Sequence, residues 1–143
     1  MKTFATHWER LEETVHGGIL MISFGGAYPI GSMGNEAASS MKQYVKEIVA
    51  AENPAAVLFN LTRLDYEFGD AIMGIVKPLI DADRNVRPIC IHAAGNTALA
   101  LAPFFGPGFL WGVLGIASCD TRAEGIEKLN KMLAQSEEDG GSR

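Results

Sequence analysis

Two rhythms of apolar and polar residues alternate along this chain, and their order predicts the class of fold. Residues 8–14, the turn sequence Val15-His16-Gly17-Gly18 and the apolar run Ile19-Leu20-Met21-Ile22-Ser23-Phe24, bounded by Gly25 and Gly26, predict a hairpin whose second strand is buried on both faces. After a glycine-rich loop, Met41, Tyr44, Val45, Ile48 and Val49 stand at the i, i+3, i+4, i+7, i+8 spacing of one helical face, with Lys42, Lys46 and Glu47 on the other. Asn35 is the expected N-cap and Pro54 the expected stop. Residues 56–61 predict a second buried strand. Ile72, Ile75, Val76, Leu79 and Ile80 predict a helix starting near Asp70 that Pro78 kinks or shortens. Residues 89–91 predict a third buried strand, and Gly95, Asn96 and Thr97 are expected to cap a short helix ending between Pro103 and Gly108.

The second half of residues 109–117 reads as another strand. Thr121 and Glu124 have capping-box spacing, and Ala123, Ile126, Leu129, Met132 and Leu133 mark the last amphipathic helix, followed by a polar tail from Ser136. The predicted order is β-β-α-β-α-β-α-β-α. Strands alternating with helices give an α/β domain with a mostly parallel mixed sheet of four or five strands and about four packed helices; the domain is expected over residues 1–135 and the tail over 136–143.

Composition narrows the function. With 143 residues, 48% hydrophobic and 20% charged, the chain is a single folded domain rather than a disordered one. Twelve basic residues against seventeen acidic ones give −5, with no basic run, so no nucleic-acid partner is expected. The nearly uncharged stretch 93–118 contains Asn96, Pro103, Pro107 and several glycines, which would break a membrane span. The N-terminus lacks an apolar signal region and two cysteines are too few for a disulfide framework, so the cytoplasm is the expected location.

Candidate chemistry is sparse. Gly26-Ala27-Tyr28-Pro29-Ile30-Gly31-Ser32 has the frame of a phosphate loop, but Ser32 stands where the lysine belongs, and a flexible turn is the simpler reading. Cys90 and His92 alternate on one strand and share a face; the cysteine reads as inert core, while His92, at a strand end where α/β sheets bind ligands, is a candidate contact. His7, His16 and His92 have no metal-ligand spacing, so neither metal nor cofactor is expected. Phe104, Phe105, Phe109 and Trp111, among prolines and glycines, suit either a covered sheet edge or an exposed partner patch.

The element order, the stretch Ala56-Val57-Leu58-Phe59-Asn60-Leu61-Thr62-Arg63-Leu64-Asp65-Tyr66 and the closing strand, cap and helix with Ala123, Ile126 and Leu129 together resemble the STAS domain over residues 8–134. That is the fold of bacterial anti-sigma factor antagonists and of the cytoplasmic tails of sulfate transporters. The resemblance implies a regulatory domain that acts by binding protein, with an anti-sigma factor or a kinase-like protein as partner. In the antagonists the loop before the second helix reads Asp-Ser-Ser-Gly, and one serine is phosphorylated to switch binding. Here the loop is Glu67-Phe68-Gly69-Asp70-Ala71-Ile72, without a serine or threonine, and Asp70 falls at or within one residue of the acceptor position.

Asp70 is therefore a helix cap, or a permanent charge where relatives place a reversible phosphate, or, crowded by Asp65 and Glu67, a carboxyl of raised pKa. The expected partner-binding loop comprises Asp65, Tyr66, Glu67, Gly69, Asp70 and Ala71, flanked by the candidate ligand contacts His92, Gly95, Asn96 and Thr97. Two other classes compete. One is a crotonase-like acyl-CoA enzyme, using backbone donors of the loop 64–70 as an oxyanion hole; the other is a small-ligand carrier using the strand ends.

Overall fold

A computed structural model describes residues 4–15, 17–27, 32–65, 71–80 and 85–141. Five strands, β1 (Phe4–Thr14), β2 (Gly17–Ala27), β3 (Ala56–Asp65), β4 (Ile89–His92) and β5 (Ala117–Cys119), form one sheet in sequential order. β1 is the antiparallel edge of the predicted hairpin, and the other neighbours are parallel. Four α-helices connect or follow them: α1 (Ser32–Glu52), α2 (Gly95–Leu101), α3 (Leu110–Leu114) and α4 (Arg122–Gly141), with 3-10 segments at Ala71–Leu79 and Ala102–Phe105.

Parallel neighbours met in sequence order need right-handed crossovers that all turn the same way, which stacks the connecting helices on one face. There Leu20, Ile22, Phe24, Val57, Phe59 and Leu61 meet residues of α1, the long 3-10 helix and α3 in one buried cluster. The opposite face, carrying Ile19, Met21, Ala56, Leu58, Cys90 and Cys119, is covered by Leu129 and Leu133 of α4.

Several local expectations change. α1 begins at Ser32, so Asn35 lies inside it rather than capping it; its other end is closed by Asn53, in the left-handed region at φ 45°, whose N–H donates to Val49 O at 2.9 Å just before Pro54. The helix expected from Asp70 is wound as a 3-10 helix, because Gly74 and Pro78 are the weakest α-helix formers in a short segment while Ile72, Ile75, Val76 and Leu79 are buried all the same. The second half of residues 109–117, expected as a strand, differs: Leu110–Leu114 is helical. Gly115, at φ 71°, takes the left-handed turn that ends it, Ile116 N bonds back to Trp111 O, and β5 starts only at Ala117. Trp111 is buried and its indole N–H donates to Met73 O at 3.0 Å, which draws this segment into the core.

Thr121 caps α4 as expected: its Oγ1 accepts from Glu124 N at 3.1 Å, while Glu124 Oε1 reaches Asp120 N rather than the cap residue itself. The helix faces differ slightly from the pattern. Ala123 is exposed and Gly125 buried, so the inward line is Gly125, Leu129 and Leu133. The polar segment from Ser136 continues as helical backbone to Gly141.

Candidate functional site

The expected partner surface begins at the end of β3. Asp65 is exposed there and Ala71 opens the 3-10 helix, whereas Tyr66, Glu67, Phe68, Gly69 and Asp70 lie outside the described residues, as do His16 and residues 28–31 of the glycine-rich loop. α2 starts beside this strand end. Gly95, Asn96 and Thr97 were expected to cap it; instead its N-cap is Ala94 without a side-chain bond, and the buried Thr97 uses its hydroxyl to donate to Leu64 O. That bond joins two segments far apart in sequence and leaves Gly95 and Asn96 exposed next to Asp65.

His92 lies apart from this surface. It follows Cys90 on the face covered by α4, where Nε2 lies 3.2 Å from Asp120 O. His92 thus faces α4, while the chain turns towards the other face of the sheet to begin α2. Cys90 and Cys119 are buried free thiols, and burial pushes both up from the ordinary thiol range; the neighbouring Cys119 raises Cys90 further, whereas the hydrogen bond with Cys90 partly lowers Cys119, and the net direction in both favours the protonated thiol. Among the described residues no group of His, Cys, Asp or Glu is arranged to hold a metal ion, and no helix is long and apolar enough to cross a membrane.

The aromatic segment is partly buried and partly exposed. Trp111 and Phe104 are buried and stack edge-on at 5.6 Å, while Phe109 and Val113, one helical turn apart, and Leu99 on α2 remain exposed. Among the clefts of the described residues, one of about 320 Å³ is lined by Ala93, Phe105, Cys119 and Asp120. A second, about 420 Å³, lies over β1, β2 and β3 and includes His7, Ser23, Asn60, Thr62 and Arg63. Sequence reasoning missed the second. Its residues come from three strands and share no local motif; the only signal was the polar residues Ser23 and Asn60, each ending the apolar alternation on one face of its strand.

Comparison with solved structures places the fold. Over 89% of this chain and 94% of the other, it superposes on an anti-sigma factor antagonist from Mycobacterium paratuberculosis with a TM-score of 0.62 at 16% identity. An uncharacterised protein with a SpoIIAA-like fold from Shewanella loihica matches over 88% and 93% at 17% identity and a TM-score of 0.48. No protein-family model matches the sequence, and no curated protein matches it either. The chain therefore has a STAS-like α/β fold, as its residue patterns suggested.

Proposed function

We propose that this chain is a protein-binding regulatory domain without catalytic activity, carried by residues 1–135. Its partner surface comprises Asp65, Tyr66, Glu67, Gly69, Asp70 and Ala71, with Gly95 and Asn96 beside them. The observation that carries this reading is the bond from Thr97 to Leu64 O, which holds the exposed first turn of α2 against the end of β3 and so gives the exposed Asp65, Gly95 and Asn96 a rigid base. The name of the structural neighbour, an anti-sigma factor antagonist, supports a protein as partner; an anti-sigma-factor or kinase-like type is what the sequence resemblance implies. Asp70 then supplies a fixed negative charge where a phosphorylated serine would supply a reversible one, and binding does not respond to a kinase.

A cross-linking pull-down with the full chain supplies the partner, and calorimetry compares wild type with Asp70→Ser and with the double variant Asp65→Arg/Asn96→Arg. The expected result is at least about tenfold weaker binding by the double variant, from reversed charge at a buried interface, and a smaller change for Asp70→Ser, with unchanged circular dichroism. Equal affinities for all three proteins would overturn the reading.

A further inference from the structure

The face of the sheet under α4 has two unlike ends. Leu129 and Leu133 close one; at the other, past the apolar contacts of α4, lies the cleft of about 420 Å³ over β1, β2 and β3. On β2 the alternation that puts Ile19 and Met21 on this face continues to Ser23. On β3 the same alternation runs from Ala56 and Leu58 to Asn60. Ser23 pairs with Asn60 on one side and with His7 on the other, and Asn60 pairs in turn with His92, so a row of four polar side chains crosses four strands, with the first three lining the cleft.

An extra residue in β3 then changes what the strand presents. Ser23 pairs with Asn60 but Gly25 pairs with Arg63, so three steps along β3 match two along β2. In an unbroken strand, position 63 would follow Val57, Phe59 and Leu61 into the core. The bulge instead returns Leu64 to the core and turns Arg63 onto the cleft face. Asn60 holds the bulge: its Oδ1 accepts from Thr62 N at 3.1 Å and from Thr62 Oγ1 at 2.7 Å. Since a backbone N–H can only donate, the acceptor must be the amide oxygen, and the Nδ2 hydrogens are left for another partner.

The rest of the lining leaves these donors available. Among the described residues, Arg63 makes no ion pair, and neither Ser23 nor His7 makes a side-chain hydrogen bond. Ala5 and Gly25 occupy the row beside Arg63, and a Cβ on Gly25 would come within 3.1 Å of the Arg63 Cβ, so the glycine keeps that floor open. Glu9, the acidic side chain of the lining, faces Arg122 at 3.6 Å, which offsets its charge.

We propose that this cleft binds a small molecule through an oxyanion, a carboxylate or phosphate group. The Arg63 guanidinium is its planar fork, and Asn60 Nδ2, the Ser23 hydroxyl and His7 are further donors. A guanidinium offers parallel N–H groups that match two oxygens of either anion, and the cleft volume is that of a small-molecule site. The site is on the opposite face from α2 and its assignment is independent of the partner surface.

The test is an amide NMR titration of the full chain with inorganic phosphate and, separately, acetate, at ionic strength held constant with chloride. Saturable shifts centred on residues 23, 60 and 63 with either anion are expected, and the anion that produces them tells phosphate from carboxylate. Arg63→Gln should weaken that binding about tenfold or more, and Arg63→Lys, which keeps the charge but loses the fork, by an intermediate factor. No saturation with either anion would overturn the assignment. So would shifts centred on Arg122 at the start of α4, or wild-type affinity in Arg63→Gln.

Discussion

The two faces of the sheet are built from the same strands, yet they differ in how completely they are covered. On one, α1, the long 3-10 helix and the α2–α3 segment form a continuous layer over β2, β3 and β4, with Trp111, Phe59 and Phe24 among its fully buried side chains. On the other, a single helix covers a smaller cluster, and the strand ends beyond it turn polar at Ser23, Asn60 and His92. Three crossovers supply three elements to one side, while only the last helix is left for the other. The less covered face therefore has room for exposed chemistry that the first face lacks. The edge strand β1 serves both: Arg10 reaches Glu52 of α1 at 2.9 Å, and Glu12 accepts from Asn130 of α4 at 3.1 Å. Exposed contacts of this kind fix alignment more than they add stability.

If the first face carries most of the stability, Trp111→Ala should be the most damaging substitution, costing about 3–5 kcal/mol in urea unfolding, since it removes a buried indole packed against Phe104 and Phe105. Leu129→Ala on the α4 face should cost less, about 2–3 kcal/mol, within the usual range for a buried leucine. Equal costs would remove the asymmetry.

The α4 face should nevertheless resist added volume at its closest approach. A Cβ on Gly125 would lie 2.9 Å from both Cys119 Sγ and Leu58 Cδ1, so Gly125→Val should destabilise by about 1–3 kcal/mol, measured by the same unfolding experiment. Thr97→Val tests the joint between β3 and α2 on the first face. It leaves Leu64 O without that buried donor, and an expected loss of about 1–2 kcal/mol should come with faster amide exchange in α2.

The smallest effect concerns pH. Burial raises Cys90 and Cys119 above the ordinary thiol value of 9.0, so between the unfolded and folded values the native state holds protons that the unfolded chain has released. Their contribution is complete below about pH 8 and erodes as pH rises past 9, because the unfolded state gains by ionising. Urea midpoints at pH 7 and pH 10 should therefore converge in Cys90→Val relative to wild type; an unchanged gap would show that these thiols do not contribute to the alkaline loss.

Local pattern reached far into this molecule. The apolar runs at 19–24, 56–61 and 89–91 are strands, and the spacing from Met41 to Val49 is the buried face of α1, because a short apolar run between turn residues and a 3.6-residue repeat are both displayed directly by the sequence. The capping pair Thr121 and Glu124 is likewise local. Where two elements compete for one segment the pattern was insufficient: the second half of residues 109–117 is apolar enough for a strand, but the bond from Trp111 to Met73 draws Leu110–Leu114 into the core as a helix and Gly115 ends it, so the strand begins only at Ala117.

What the sequence alone determined is thus the order of the strands, most of the apolar faces and the α/β class. Pairing register and contact across the fold decided the rest. One additional residue in β3 sends Arg63 to the cleft and Leu64 to the core, and only the pairing with β2 reveals it. The neighbours His7, Ser23 and Asn60 come from three strands, and Thr97 turns from an expected cap into a tie to Leu64 because β3 ends beside it. The periodicity of a strand states which residues share a face, but which strand lies alongside, and in what register, is settled by long-range packing that no single segment encodes.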